Sequence, residues 1–303
     1  MNLAAFEAKG MLKPGFETIE QVIEGLEAEE YIADRALATV LFLANRLEKP
    51  IFLEGEPGVG KTEVAIVMAR LFGADLIRLQ CYEGLDASSS LYEWNYPKQL
   101  LHIRMKERED IDTEELEKTL YSSKFLIRRP LLEAVLRADS RAPVLLIDEI
   151  DRADEEFEAF LLEVLSDFQI TIPEMGTIRA KERPMVVVTS NRTRDVHDAL
   201  KRRCLYHWIE YPSFDKEYRI ITTKLPGIES GFAEQITAFM QHIRTLDLLK
   251  RPGVAESLDW ARALMAMHVN YLDEDVVSDT LGCVLKYQED IRKFQEEGLG
   301  AAL

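Results

Sequence analysis

Apolar positions between residues 17 and 47 recur at helical spacing: Ile19, Val22, Ile23 and Leu26, then Ile32, Leu37, Val40, Leu41 and Leu43. That periodicity predicts helix throughout the stretch. The run Pro50-Ile51-Phe52-Leu53-Glu54 then reads as a short buried strand ending at a glycine-rich turn, and a helical pattern follows over 61–72. Three more strand-like runs lie at 76–79, 144–147 and 185–189, and a fifth at 206–210 precedes Pro212. Short, continuously apolar strands separated by helical segments indicate a parallel sheet covered on both faces. After Phe214 the strands stop, and helical patterns occupy about 215–225, 231–249, 257–271 and 275–297. The expected organisation is an α/β domain over 1–211 and an all-helical domain over 212–303.

Composition narrows the function classes. With 54 Asp+Glu against 37 Lys+Arg, the 303-residue chain carries a formal charge of −17. Such a balance argues against general binding to nucleic acid, which needs clustered Lys and Arg. No apolar run reaches the roughly 18 residues of a bilayer span. The first seven residues lack the basic start and apolar core of a signal peptide. Cys81, Cys204 and Cys283 are scattered and odd in number, which suggests neither a disulfide framework nor a zinc site. The five histidines show no ligand spacing. A cytoplasmic protein is expected. The charged run 106–118 reads as a solvated helix face or loop.

Candidate chemistry begins at Gly55-Glu56-Pro57-Gly58-Val59-Gly60-Lys61-Thr62. This G-x-x-x-x-G-K-[ST] pattern follows a strand and opens a helix, the context that a phosphate-binding loop requires. Glycines let backbone N–H groups converge on phosphate oxygens, and the helix N-terminus adds positive charge. Residues Glu56 to Glu63 are the expected nucleotide contacts: Glu56, Pro57, Gly58, Val59, Gly60, Lys61, Thr62 and Glu63. Lys61 would neutralise the β/γ-phosphates of ATP or ADP, and the Thr62 hydroxyl would ligate Mg²⁺. A second signal is Val144-Leu145-Leu146-Ile147-Asp148-Glu149, an apolar strand delivering adjacent carboxylates. Unpaired carboxylates at a core edge are costly, so Asp148 is expected to hold Mg²⁺ and Glu149 to orient the attacking water. Asn191, at the end of the strand 185–189, would touch the γ-phosphate or position water. In Ala199-Leu200-Lys201-Arg202-Arg203-Cys204, Arg203 is the first choice and Arg202 the second for an arginine finger reaching a neighbouring subunit.

With GEPGVGKT, LLIDEID, TSN and ALKRRC in this order, the chain resembles the AAA+ ATPases, specifically the MoxR group. Arg152 and Leu161-Leu162-Glu163 match the group's pattern after the acidic pair. The segment 169–184 resembles the group's β-hairpin, with Gly176 at its turn, and about 84–130 stands as an insert. The strings CYEGLDASSSLYEWNYPKQLL and RRCLYHWIEYPSFDKEY resemble the CoxD-type accessory ATPases of carbon monoxide dehydrogenase. The resemblance implies a five-stranded AAA+ sheet with a C-terminal helical lid. It also implies a hexameric ring, a von Willebrand factor A partner protein, and an apo-metalloenzyme client such as a molybdenum hydroxylase. One departure concerns the lid arginine that AAA+ proteins usually place early in the third lid helix. Glu256 or Ser257 stands there, and Arg262 follows about a turn later.

Three smaller signals and two rival functions remain. Asp86-Ala87-Ser88-Ser89-Ser90 matches D-x-S-x-S but lacks the preceding apolar strand of a metal site, so a turn with a helix cap is expected. The aromatic run 91–96 fits either packing of the insert or a surface facing a pore or partner. Trp260 is expected in the lid core. The rivals to a remodelling ATPase are a nucleic-acid-directed or restriction-type NTPase and a slow nucleotide-gated scaffold. Intact Glu149 and Asn191 disfavour the scaffold, and the net charge disfavours the motor.

Overall fold

The computed structural model describes residues 16–106, 113–137 and 142–297. The first seven residues, residues 107–112 of the charged run and residues 298–303 lie outside that range. Thr18 opens α1 (Ile19–Ala28) by accepting the Gln21 amide, and Asp34 opens α2 (Arg35–Leu47) by accepting that of Leu37 at 2.7 Å. The continuous helix expected over 17–47 is thus two helices. Glu30 lies in the left-handed region (φ 59°), and the Asp34 cap competes with helical continuation.

Strand β1 (Ile51–Gly55) leads through the glycine-rich turn into α3 (Lys61–Phe72), and β2 (Leu76–Gln80) follows. The insert folds as α4 (Ala87–Leu91), β3 (Tyr92–Trp94), α5 (Tyr96–Lys106), α6 (Thr113–Leu120), β4 (Leu126–Arg128) and α7 (Pro130–Arg137). Asp86 caps α4 at the Ser89 amide, the turn and cap that its sequence predicts. The pairing of β3 with β4 was not visible in the pattern, since three-residue strands show no period. Trp94 is buried edge-on against Tyr92 and Tyr121, whereas Tyr96 is exposed, so the aromatic run divides between packing and surface.

The chain continues through β5 (Val144–Asp148), α8 (Glu155–Asp167), the antiparallel hairpin β6 (Gln169–Ile172) and β7 (Gly176–Arg179), β8 (Met185–Ser190), α9 (Asp198–Arg203) and β9 (Leu205–Ile209). Five strands form one parallel sheet in the order β2-β5-β8-β1-β9. Central β5 and β8 are buried along their whole length, while β2 at the edge alternates exposed and buried positions. Phe52, Leu145, Ile147, Val186 and Val188 pack one face against α7 and α8. Ile51, Leu53, Val144, Leu146 and Val187 pack the other against α1 to α3. Strand alternation therefore puts Arg78, Gln80, Asp148 and Thr189 on the α3 face.

Helices α10 (Phe214–Lys224), α11 (Ser230–Thr245), α12 (Val254–Ala266), α13 (Glu274–Thr280) and α14 (Gln288–Glu297) form a separate core around Trp260, Phe239 and Phe294. The helix expected over 275–297 is broken by a 3₁₀ turn at Leu281–Cys283. Thr280-Leu281-Gly282-Cys283-Val284 is a poor helix former. Beyond it, buried Asp290 of α14 accepts the Leu249 and Lys250 amides.

Candidate active site

The glycine-rich turn and the ends of β5 and β8 meet the lid in a cleft of about 500 Å³. Gly58 holds φ +77°, a left-handed turn that most side chains resist. Lys61 is buried at the head of α3, and its Nζ donates to the Gly55 and Glu56 carbonyls at 2.8 and 2.7 Å. Burial pushes its ammonium down to about 8, against the opposing pull of Asp151, Glu56, Asp148 and Glu149.

Asp148, 2% exposed, is the hub of the polar cluster. Its Oδ1 accepts the Thr62 hydroxyl at 3.0 Å and the Thr189 hydroxyl at 2.5 Å. Its Oδ2 accepts Arg78 Nη2 at 2.6 Å. Glu149 follows in the left-handed region (φ 56°), and its amide donates to the Thr189 hydroxyl. Held in that turn, the Glu149 carboxylate accepts Asn191 Nδ2 at 3.1 Å and Gln80 Nε2 at 3.0 Å, and pairs with Arg152 at 3.0 Å. Such non-glycine strain persists where surrounding bonds fix it.

Asp151 anchors the loop that carries Asn191. Burial alone would raise its carboxyl, but the Thr193 hydroxyl and the Thr193 and Asn191 amides hold it below the usual range. The paired oxygens of Thr62 and Asp148 are hard donors of the kind that Mg²⁺ takes, and this donor set fits that ion. Among the described residues no cluster of three His, Cys, Asp or Glu forms a further metal site.

The sequence-predicted residues Glu56 to Glu63, Asp148, Glu149 and Asn191 gather at this cleft or its turn. Arg202 and Arg203 do not line it. Both are exposed on α9, where Arg203 Nε donates to the Ser166 hydroxyl at 2.9 Å. The preceding Lys201 is anchored inward on buried Glu54. On the lid side, Glu256 caps the Gly253 amide and Ser257 joins a buried ionic cluster, while Arg262 lines the cleft. The lid is seated directly on the turn: Ala255 N–H donates to the Gly58 carbonyl, and a Cβ on Gly253 would meet the Pro57 carbonyl at 2.7 Å. Sequence reasoning passed over Arg78, Gln80, Thr189 and Asp151. The available signal was polar residues at alternate positions of β2, on the face of the sheet that carries Asp148.

The model of the family described as AAA domain (dynein-related subfamily) matches residues 50–204, just over half of the chain. An uncharacterised protein of Staphylococcus haemolyticus is 26% identical over 226 residues, covering 72% of this chain and 76% of that protein. The Lon protease of Halothermothrix orenii is 31% identical over 170 residues, 54% of this chain but only 17% of the protease. Among solved structures, a RuvB variant of Thermotoga maritima superposes with a TM-score of 0.47 at 17% identity, covering 92% of this chain and 75% of RuvB.

Proposed function

The chain belongs to the dynein-related subfamily of AAA domains and is an ATPase, and from that premise we propose a MoxR-type chaperone whose Mg²⁺-dependent hydrolysis remodels a client protein. Lys61 exchanges the two carbonyls it holds for β/γ-phosphate oxygens, aided by the N-terminus of α3. Thr62 and Asp148 would hold Mg²⁺, which would supply positive charge beside the phosphate oxygens. Glu149 orients a water and takes its proton as the water oxygen closes on the γ-phosphorus. The bond to the β–γ bridging oxygen breaks, leaving ADP and phosphate. Asn191 steadies Glu149 and reaches toward the γ-phosphate, and Arg262 faces the nucleotide from the lid. The observation that carries this reading is the single hydrogen-bonded chain Thr62–Asp148–Thr189–Glu149–Asn191 beside the glycine-rich turn.

Arg203, with Arg202 as the alternative, completes the site of a neighbouring copy in a ring, which we take as hexameric. Their exposure at the end of α9, outside their own cleft, supports a role in trans. The MoxR assignment is supported by the motif strings and by the hairpin β6–β7 between α8 and β8. A von Willebrand factor A partner and an apo-metalloenzyme client, such as a molybdenum hydroxylase of the carbon monoxide dehydrogenase type, belong to the same reading. So does a cytoplasmic location, consistent with three free cysteines. No helix among the described residues is long and apolar enough to cross a membrane.

The test is ATP turnover per chain across a wide range of protein concentration, for wild type and Arg203→Ala. Specific activity climbing with concentration in the wild type, and staying low and flat in the variant, is the expected result. Turnover independent of both concentration and Arg203 overturns the ring-completed site.

A further inference from the structure

Buried Glu54 takes no part in the chemistry above, although it immediately precedes the glycine-rich turn. Strand alternation turns its side chain, with that of Phe52, away from α3 and toward α8 and α9. Lys201 of α9 reaches in from that side, and its Nζ donates to Glu54 Oε1 and Oε2 at 3.1 and 3.3 Å. The Tyr206 hydroxyl donates to Oε2 at 2.8 Å. Burial together with that bond pushes the phenol up to about 12, so it stays a donor. Phe52 and Tyr206, aligned between β1 and β9, stack with ring centroids 6.2 Å apart. The Lys201 ammonium lies 5.4 Å and 5.9 Å from those two centroids, within cation–π reach. One carboxylate and two rings thus make a cradle for a single lysine.

Stability alone gives little reason for this arrangement, because an apolar pair of similar volume serves a core edge at least as well. Its position in the chain explains more. Helix α9 is only six residues long and buries one side chain, Leu200, so packing hardly fixes its rotation. Each helical residue turns by about 100°, so holding Lys201 inward swings Arg202 and Arg203 out to the surface. Arg203 gains a second anchor through Nε on the Ser166 hydroxyl, which leaves its two Nη groups unbonded among the described residues. We propose that Glu54 is a positioning residue for the arginine that a neighbouring copy receives, acting through Lys201. Without the carboxylate, Lys201 is drawn to water and α9 loses its inward hold. The guanidinium then no longer meets the neighbour's γ-phosphate. Glu54 thus serves the adjoining copy's site although it borders the phosphate loop of its own. This inference rests on the reading of Arg203, or Arg202, as a group acting in trans.

The test compares Glu54→Gln and Lys201→Gln with wild type, each alone and in equimolar mixture with Glu149→Gln. Alone, each is expected to lose about 10- to 100-fold in kcat, the cost of misplacing a group that acts in the transition state. Affinity for a fluorescent ADP stays at the wild-type value. In the mixture, Glu54→Gln copies keep their own clefts and receive correctly held arginines from Glu149→Gln copies. Turnover therefore rises well above the mean of the two components. Glu54→Gln keeps the shape of the side chain and an acceptor for Tyr206. Lys201→Gln changes the helix end of the pair, so it decides the matter if the first variant folds poorly. Wild-type kcat in these variants overturns the proposal. So does an ADP affinity that falls with kcat, or a mixture that stays at the mean, since either places the defect in the copy's own cleft. The control is the double variant Arg202→Ala/Arg203→Ala, mixed with Glu149→Gln in the same way. If the control is not complemented, the trans arginine itself falls and this proposal with it. If the control is complemented and Glu54→Gln is not, the positioning role alone falls.

Discussion

A cluster of charge at the strand ends and another inside the lid are bonded in opposite ways. Glu217 of α10 is fully buried and accepts Arg244 at 2.5 and 2.6 Å, Ser257 at 2.6 Å and Gln241 at 2.7 Å. Arg244 is itself only 7% exposed, and its Nε is spent on the Pro252 carbonyl. Neither Glu217 nor Arg244 can leave without stranding the other's charge, so the cluster pins α10, α11 and α12 together. Asp148 is nearly as buried, yet its cationic partner, Arg78, is half in water. Glu149 is likewise held by Arg152 and Gln80, both of which reach solvent. Two arrays of similar chemistry therefore differ in one respect, whether a partner has somewhere to go. The lid cluster is fixed structure, and the strand-end cluster is built to exchange partners.

The largest effect that sharpens this contrast is at Glu149. Glu149→Gln keeps the hydrogen bonds to one side-chain oxygen and removes the base, so turnover is expected to fall by about 10²–10⁴-fold. Nucleotide affinity and melting temperature stay near wild type. Steady-state hydrolysis read alongside a thermal melt decides it, and retained turnover removes Glu149 from the role of orienting water.

Glu217→Ala should do the reverse. It strands the Arg244 guanidinium in the lid interior, a loss of about 3–5 kcal/mol of stability. Denaturant unfolding measures this directly, while turnover per folded chain changes little well below the transition. A loss under about 1 kcal/mol would mean that water reaches Arg244, and the distinction between the clusters would collapse.

How much of this was legible beforehand depends on whether the information is local. Gly55 to Thr62 could be read directly, because a phosphate loop needs its glycines, lysine and threonine at fixed spacing in one turn. Asp148 and Glu149 were legible because they end an apolar run. Arg78 and Gln80 were not, since they meet the carboxylates only through the pairing of β2 with β5. Their alternation marks one face of β2, but which strand lies beside that face is set by long-range pairing. Arg262 sits between these cases. The pattern placed its helix at 257–271, but α12 starts at Val254, where Gly253 seats it on the glycine-rich turn. That docking brings Arg262 to the cleft although it falls outside the usual position. The missed breaks after Ala28 and Thr280 are local instead: Asp34 caps a new helix, and the 3₁₀ turn at Leu281–Cys283 falls in a run of poor helix formers.

Lys61 sharpens the comparison most gently, as a buried cation between the two extremes. Burial, with only two neutral carbonyls as direct partners, lowers its ammonium to about 8 in the nucleotide-free chain. The unfolded lysine keeps its proton to about 10.5. Below pH 8 both states are charged and burial costs stability; between 8 and 10.5 the unfolded chain binds more protons, so that cost is relieved as pH rises. Nucleotide binding runs the other way. Phosphate favours the ammonium, so metal-free ADP affinity should be flat from pH 6.5 to about 8 and then weaken by up to tenfold per unit. Lys61→Arg, which stays charged throughout, should flatten the profile. Titration calorimetry at several pH values checks this, with proton uptake on binding appearing above pH 8 in the wild type alone. A flat wild-type profile would mean that Lys61 already has an ionic partner when ADP arrives, which would place it with the fixed lid cluster instead of the exchangeable one.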